Sequence, residues 1–307
     1  MSTLDQEKKP SSYGRLWALI GLVAGLLILA FVIHRAVADL RDLRAFEWHL
    51  RPLYLVLSFL ILGLHYPVYA VSLKLLVDTK DSRLPFRAFF KVLFTSQMGK
   101  YIPGKVWSVV GLAVLISRRG GKPGRAVGAQ VAQNLLNTAT GLVFWGLAAL
   151  VCARFLEAGI CLAAGLIGLL AMAFPGRSIF QWLINRAMRV LKREPVDLDI
   201  SAHTVGLSEL FCMLDWIVMG VAFWLLLISF VPLDLNALPT AMRALTIAQL
   251  AGLWAIIVPG GIGVREGTMA LMLSELLKSA VASAVSIGAR LWSLTGDLLA
   301  LAVALSL

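Results

Sequence analysis

Long apolar runs alternate along this chain with short charged stretches. Six of them, at about 16–33, 53–77, 126–153, 158–174, 207–230 and 280–307, approach or exceed the length that a bilayer-crossing helix needs. Two further apolar stretches are interrupted. In the first, arms at Phe86–Met98 and Val106–Ile116 flank the sequence Gly99-Lys100-Tyr101-Ile102-Pro103-Gly104-Lys105. At about 1.5 Å per residue, each arm reaches only about 17–20 Å against a hydrocarbon core of about 30 Å. In the second, Thr240–Val258 and Thr268–Leu277 flank Val258–Gly267, which holds four glycines and a proline in ten residues. Glycine loosens a helix and proline removes a donor, so such backbone survives at membrane depth only against a protein-walled cavity.

Charge orders these elements. Lys8, Lys9 and Arg15 precede the first run, and Arg118, Arg119, Lys122 and Arg125 form a loop with no acid among them. Between Gly176 and Glu194, apolar residues alternate with Arg177, Arg186, Arg189, Lys192 and Arg193, which predicts an amphipathic helix on the membrane surface at about 176–194. Positive segments belong in the cytoplasm, so all three lie inside. The first run is longer than a signal-peptide core and predicts an uncleaved span after a cytoplasmic tail at 1–14. Counting onward, the first break must leave and return on the cytoplasmic face, which makes it a re-entrant hairpin. The second starts outside, either as a hairpin or as a full span. As a hairpin it would meet the first near the midplane and return the C-terminus to the cytoplasm, the pattern of an inverted repeat around a central site. Gln97 and Gln249, each preceding its break, supply a weak echo of that repeat.

The expectation is therefore an all-α integral membrane protein. It has about six spanning helices and two re-entrant helical hairpins, at about 86–117 and 243–278, within one transmembrane domain over 15–307. Apolar residues make up 59% and charged residues 15% of the 307, which excludes an ordinary soluble domain. The net charge of +11 sits in short loops between spans and points to anionic lipid rather than nucleic acid. Cys152, Cys161 and Cys212 lack metal or disulfide spacing and read as small buried apolar groups.

No catalytic constellation is visible: the four histidines are scattered, and Asp215, Glu266, Glu275 and Asp297 are isolated along the chain. The sequence predicts no enzyme, cofactor or metal. The breaks instead offer an anion site, in which amides at half-helix N-termini combine with Lys100, Lys105 and Arg265. Glu266 would neutralise Arg265 when the site is empty. Tyr101 and Trp107 would form amphipathic walls, with Pro103, Gly104, Pro259, Gly260, Gly261 and Gly263 shaping the backbone. The alternative is that the cations only mark the water interface. Gln130, Gln133, Asn134 and Asn137 make one polar stripe, read either as interhelical glue or as a pathway wall that puts Asn134 in the site. His65 reads either as a hydrogen-bonded packing residue beside Pro67 or, as an ionisable group inside a span, as a functional one. Arg290 and Asp297, two turns apart on one face, suit partners on different helices.

The segments "GKYIPGKVWS" at 99–108 and "VPGGIGVREG" at 258–267 resemble the lysylphosphatidylglycerol synthase transmembrane family, also described as flippase-like membrane proteins. The resemblance covers about residues 15–305. It implies a multi-pass protein of the bacterial or archaeal cytoplasmic membrane that moves lipids between leaflets. It maps Pro103, Gly104 and Lys105 onto the first motif, and Pro259, Gly260, Gly261, Gly263, Arg265 and Glu266 onto the second. The 307 residues include no soluble aminoacyl-transfer domain, which argues against lipid lysylation by this chain. The expected function is a lipid flippase or lipid-linked carrier. Its cargo would be an anionic or zwitterionic phospholipid, or a polyprenyl-phosphate-linked lipid. The alternative is a non-transporting scaffold for a glycosyltransferase or lipid-synthesis enzyme. Further copies of the chain and a lipid- or glycan-synthesis enzyme stand as candidate partners.

Overall fold

The structure, a computed structural model, describes residues 40–79, 82–102, 106–173, 200–255 and 258–307 continuously, together with 23, 26–31, 33–34, 37, 182, 185–186 and 189. Most of the first apolar run, most of the amphipathic stretch at 176–194, and Pro103, Gly104 and Lys105 lie outside the described residues. A short helix α1 (Leu40–Ala45) leads into α2 (Pro52–Val77), α3 (Phe86–Gln97), α4 (Val106–Ser117), α5 (Pro123–Val151) and α6 (Phe155–Ala173). Then follow α7 (Ala202–Phe230), α8 (Leu238–Trp254), α9 (Val264–Leu273) and α10 (Ser279–Ser306). Helices α2, α5, α6, α7 and α10 are long and apolar enough to cross a bilayer. They correspond to the second through sixth apolar runs, and no strand occurs among the described residues.

Local chemistry sets the boundaries. Pro52 and Pro123 open α2 and α5, where a missing N–H costs nothing. The Ser201 hydroxyl caps α7 by accepting the Thr204 N–H at 3.2 Å. Small residues let the helices approach closely, as membrane packing requires. A Cβ on Gly165 would lie 2.8 Å from the Ala139 carbonyl, so α5 and α6 touch backbone to backbone. Between α2, α5 and α7, Ser72 donates to the Ser208 carbonyl at 3.0 Å and to Gln133 at 3.1 Å, while Gln133 Nε2 meets the Cys212 sulfur at 3.3 Å. Cys161 and Cys212 are buried in this apolar interior, as small hydrophobes are.

Both interrupted stretches double back. Ala88 faces Arg119, Ser96 faces Gly111, and Gly99 faces Ser108, so α3 and α4 run antiparallel and converge on the turn at Met98–Tyr101. Arg243 faces Glu275 and Gly252 faces Arg265, so α8 and α9 do the same around the turn at Pro259–Gly261. The second arms are offset from their expected bounds. Helix α8 ends at Trp254 rather than Val258, and α9 begins at Val264 rather than Thr268. The early restart has a clear cause. Glu266 in the first turn accepts the Gly263 N–H at 2.5 Å, half of a capping box, and so starts the helix where the sequence had suggested loop.

Each helix of the set α2–α5 packs on its chain neighbour, as does each helix of the set α7–α10. Across the sets, α2 packs on α7, α5 on α8 and α7, and α10 on α3 and α2. The two turns also touch each other, which closes a polar cavity in the middle of the bundle.

Candidate functional site

The cavity measures about 400 Å³, within the range of small-ligand sites. Both breaks and the centres of four long helices contribute to its wall. From the first break come Lys100 and Tyr101, and from the second Gly260 and, just beyond it, Arg265. Gly260 shows why this position is glycine. Its φ is +56°, and a Cβ there would sit 3.1 Å from the Arg290 guanidinium and 3.4 Å from the Tyr101 ring. Gly261, with φ +68°, lies where a Cβ would fall 2.9 Å from the Gly252 Cα.

Helix α10 holds both breaks in place. Asp297 pairs with Lys100 Nζ at 2.8 Å and accepts the Tyr101 hydroxyl. Arg290 donates to the Gly260 carbonyl at 3.2 Å, pairs with Glu266 at 3.3 Å, and lies over the Tyr101 ring. The expectation that Arg290 and Asp297 serve different helices is met. Glu266 and Arg265 form no ion pair among the described residues, and Glu266 acts on that cation only through space. Glu266, only 2% exposed, spends one oxygen on the Gly263 N–H and faces Arg290 with the other. That carboxylate also occupies the positive end of α9, so the Gly263 amide is not offered to a ligand.

Arg265 is thereby left over. It lines the cavity half-buried and makes no hydrogen bond or ion pair among the described residues. Around the two turns, Lys100, Arg265 and Arg290 stand against Glu266 and Asp297. Among the described residues, three positive charges against two negative leave +1 around the turns. On the opposite wall, His65 Nδ1 of α2 lies 2.6 Å from Asp215 of α7 and stacks on Tyr69. Gln130 and Gln97 both donate to the Tyr69 hydroxyl, at 3.1 and 3.4 Å.

The predicted site residues divide. Lys100, Tyr101, Asn134, Gly260 and Arg265 line the cavity. Gly261, Gly263 and Glu266 stand behind it and shape the turn. Trp107, 51% exposed, is not in the cavity wall. The Pro259 backbone opens the second turn, while Pro103, Gly104 and Lys105 lie outside the described residues. The polar stripe on α5 takes both of its readings. Gln130, Asn134 and Asn137 face the cavity, whereas Gln133, one position away, is buried glue against Ser72 and Cys212. Gln97 and Gln249, the echoing pair, both line the wall.

Sequence reasoning did not place His65, Tyr66, Tyr69, Asp215, Trp254, Arg290 or Asp297 in the site. A signal existed for four of them, because ionisable groups inside spans are costly unless they serve a cavity. No comparable signal marks the tyrosines and Trp254. Among the described residues no cluster of three or more His, Cys, Asp or Glu side chains is arranged to hold a metal ion.

No curated protein matches the chain. The family described as lysylphosphatidylglycerol synthase TM region matches residues 18–300, nearly the whole length, so this protein belongs to that family of membrane proteins with lipid-related function.

Proposed function

We propose that the protein is a lipid flippase or lipid-linked carrier whose central cavity binds a phosphate-bearing headgroup. The observation that carries this reading is Arg265. Among the described residues, every other full charge at the turns forms an ion pair and Arg265 forms none; Glu266 and Asp297 act on it only through space. A guanidinium held in a membrane-embedded cavity is expensive unless a ligand engages it, and its planar donors suit phosphate. Lys105 is the proposed second clamp.

In this reading α3–α4 and α8–α9 are re-entrant hairpins entering from opposite faces, and the two sets of helices form an inverted repeat. The packing supports it, because most contacts have a counterpart when α2–α5 is exchanged with α7–α10. Thus α3 on α10 matches α8 on α5, and α2 on α10 matches α7 on α5. Both termini would be cytoplasmic, and no chemical step on the lipid is assigned to the chain. The cargo would be an anionic or zwitterionic phospholipid or a polyprenyl-phosphate-linked lipid.

In vesicles reconstituted with a fluorescent phosphatidylglycerol, Arg265→Ala abolishes translocation between leaflets. It lowers thermal stability only by the packing of the Arg265 stem against Gly252, because the guanidinium forms no hydrogen bond or ion pair among the described residues. Transport at the wild-type rate by the folded variant would remove Arg265 from the mechanism.

A further inference from the structure

Beside the polar cavity runs a second space of a different kind, an apolar groove of about 500 Å³ between α2, α7 and α10. Leu55 and Phe59 from the start of α2, Leu226 and Phe230 from the end of α7, and Val285 and Leu291 of α10 form its walls. All three helices are candidate membrane spans, so the groove faces an environment of lipid chains. At this end of the molecule the segment before α2 is tied to the end of α7, with His49 N–H donating to the Phe230 carbonyl at 3.1 Å. The groove floor is therefore built rather than incidental.

Three side-chain polar atoms belong to this wall, and two are already used. Trp48 donates its indole N–H to the Leu43 carbonyl, and the Thr295 hydroxyl bonds back to the Leu291 carbonyl of its own helix. The third, the indole N–H of Trp292, is buried in a side chain 4% exposed and has no hydrogen-bond partner among the described residues. A buried donor without an acceptor costs free energy, so it points to a ligand oxygen. Its position matters. Trp292 and Ala289 line both the groove and a gap of about 10 Å³ whose other walls include Arg265, Glu266 and Arg290. The gap holds about one water molecule, and Arg265 and Arg290 also line the polar cavity. The gap thus shares Ala289 and Trp292 with the apolar groove and Arg265 and Arg290 with the polar cavity, which makes the two spaces neighbours.

We infer that the groove holds an acyl chain of the same lipid whose phosphate sits at Arg265, and that Trp292 is the divider its linker passes. This rests on the headgroup reading above and adds that head and tail occupy separate, adjacent compartments. The occupant is a lipid chain because the walls are apolar, lie on spanning helices and join a cationic cavity. A soluble phosphate compound would have no use for the groove. For a linker to cross, Trp292 must swing aside or Glu266 must part from Arg290. The indole N–H then finds an ester or phosphate oxygen in the bound lipid.

Gly288 offers a clean test. It lines the groove, and a Cβ there would meet nothing within 4 Å, so Gly288→Phe fills the groove without disturbing the helix. Native mass spectrometry of the detergent-purified protein would titrate three probes: dioleoyl phosphatidylglycerol, dihexanoyl phosphatidylglycerol and glycerol 1-phosphate. Gly288→Phe should weaken the dioleoyl lipid about tenfold, as expected for the loss of two buried methylenes, and leave glycerol 1-phosphate unchanged. Dihexanoyl lipid should fall between them. Equal dioleoyl affinity in Gly288→Phe and wild type overturns the groove assignment, whatever Arg265 does. Arg265→Ala should weaken all three probes, and its failure to do so overturns the headgroup reading instead.

Trp292→Phe separates a ligand contact from a packing role. It should weaken the dioleoyl lipid about fivefold and lower the lipid-free melting temperature only by the cavity that the smaller ring leaves, because the deleted N–H has no partner among the described residues. Unchanged lipid affinity in the folded variant would show the indole to be structural and would overturn its role as divider.

Discussion

At the base of the first helical pair, Arg119 reaches back from the end of α4 to the Ala88 carbonyl of α3, at 2.6 Å on an exposed surface. At the base of the second, Arg243 of α8 is 1% exposed and donates to both oxygens of Glu157 on α6, and to Glu275 just past α9 at 3.1 Å. Trp145 adds a bond to Glu157, and Arg154 adds one to Glu275. The two pairs share short arms, antiparallel packing and a glycine-lined turn, and they differ in what fixes them to the rest of the bundle. The second is bolted at its base by a buried, charge-assisted network. The first has Arg119 joining its own two arms and Lys91 of α3 donating to the Leu305 carbonyl of α10 at 3.3 Å, both exposed. At the turns the first is held by Lys100–Asp297 and the second by Arg290. The contrast predicts unequal stiffness, with α8–α9 the harder of the two pairs to displace and α3–α4 the easier.

The largest test of that contrast is Arg243→Ala. It takes the buried cation from Glu157 and Glu275 and leaves them only the more exposed Arg154, so a loss of about 3 kcal/mol is expected. Thermal unfolding in detergent would measure the loss, and hydrogen exchange should rise over 238–275 more than over 86–117. A uniform rise would mean that the network is not a local anchor. Of the same order is Gly261→Ala, which adds a left-handed backbone penalty to a clash with Gly252, together about 3 kcal/mol. Its counterpart Gly99→Ala meets the Ser108 nitrogen at 2.6 Å but carries no positive φ, so about 2 kcal/mol is expected. If the two cost the same, the special strain of the second turn is absent.

Asp297→Asn removes the charge that holds Lys100, worth about 2 kcal/mol for a hydrogen-bonded ion. A cysteine at position 102 should then label faster, with labelling at 258 unchanged. Equal acceleration at both positions would show that the turns are not held separately. The smallest effect belongs to Arg119→Ala, under about 1 kcal/mol because the bond lies in water. A loss as large as that of Arg243→Ala would erase the contrast between the two bases.

How legible was this in the sequence? The spanning helices were, because runs such as Leu207–Phe230 exceed what any soluble helix needs. The breaks were too, because Gly260 and Gly261 have no place in an uninterrupted helix. The partners of the charges were not. Lys100 meets Asp297 and His65 meets Asp215 across 197 and 150 positions, a distance along the chain that no local spacing encodes. Arg243 stood unremarked inside an apolar run, although a lone arginine there was itself a signal. Gln130 and Gln133 look equivalent on paper. Only the neighbours, a cavity for one and Ser72 with Cys212 for the other, separate wall from glue.

One helix carries the charges that hold both turns. On α10, Arg290 and Asp297 stand seven residues apart, about 10 Å along a rod that neither bends at proline nor breaks at glycine pairs. A rod with a plus notch and a minus notch works like a key cut for two locks. Slide it by one turn, about 5.4 Å, and both notches leave their seats in the same stroke. The timing of the two turns is thus written into the spacing of two side chains, so that unlatching one side of the cavity without the other takes more than a shift of the key.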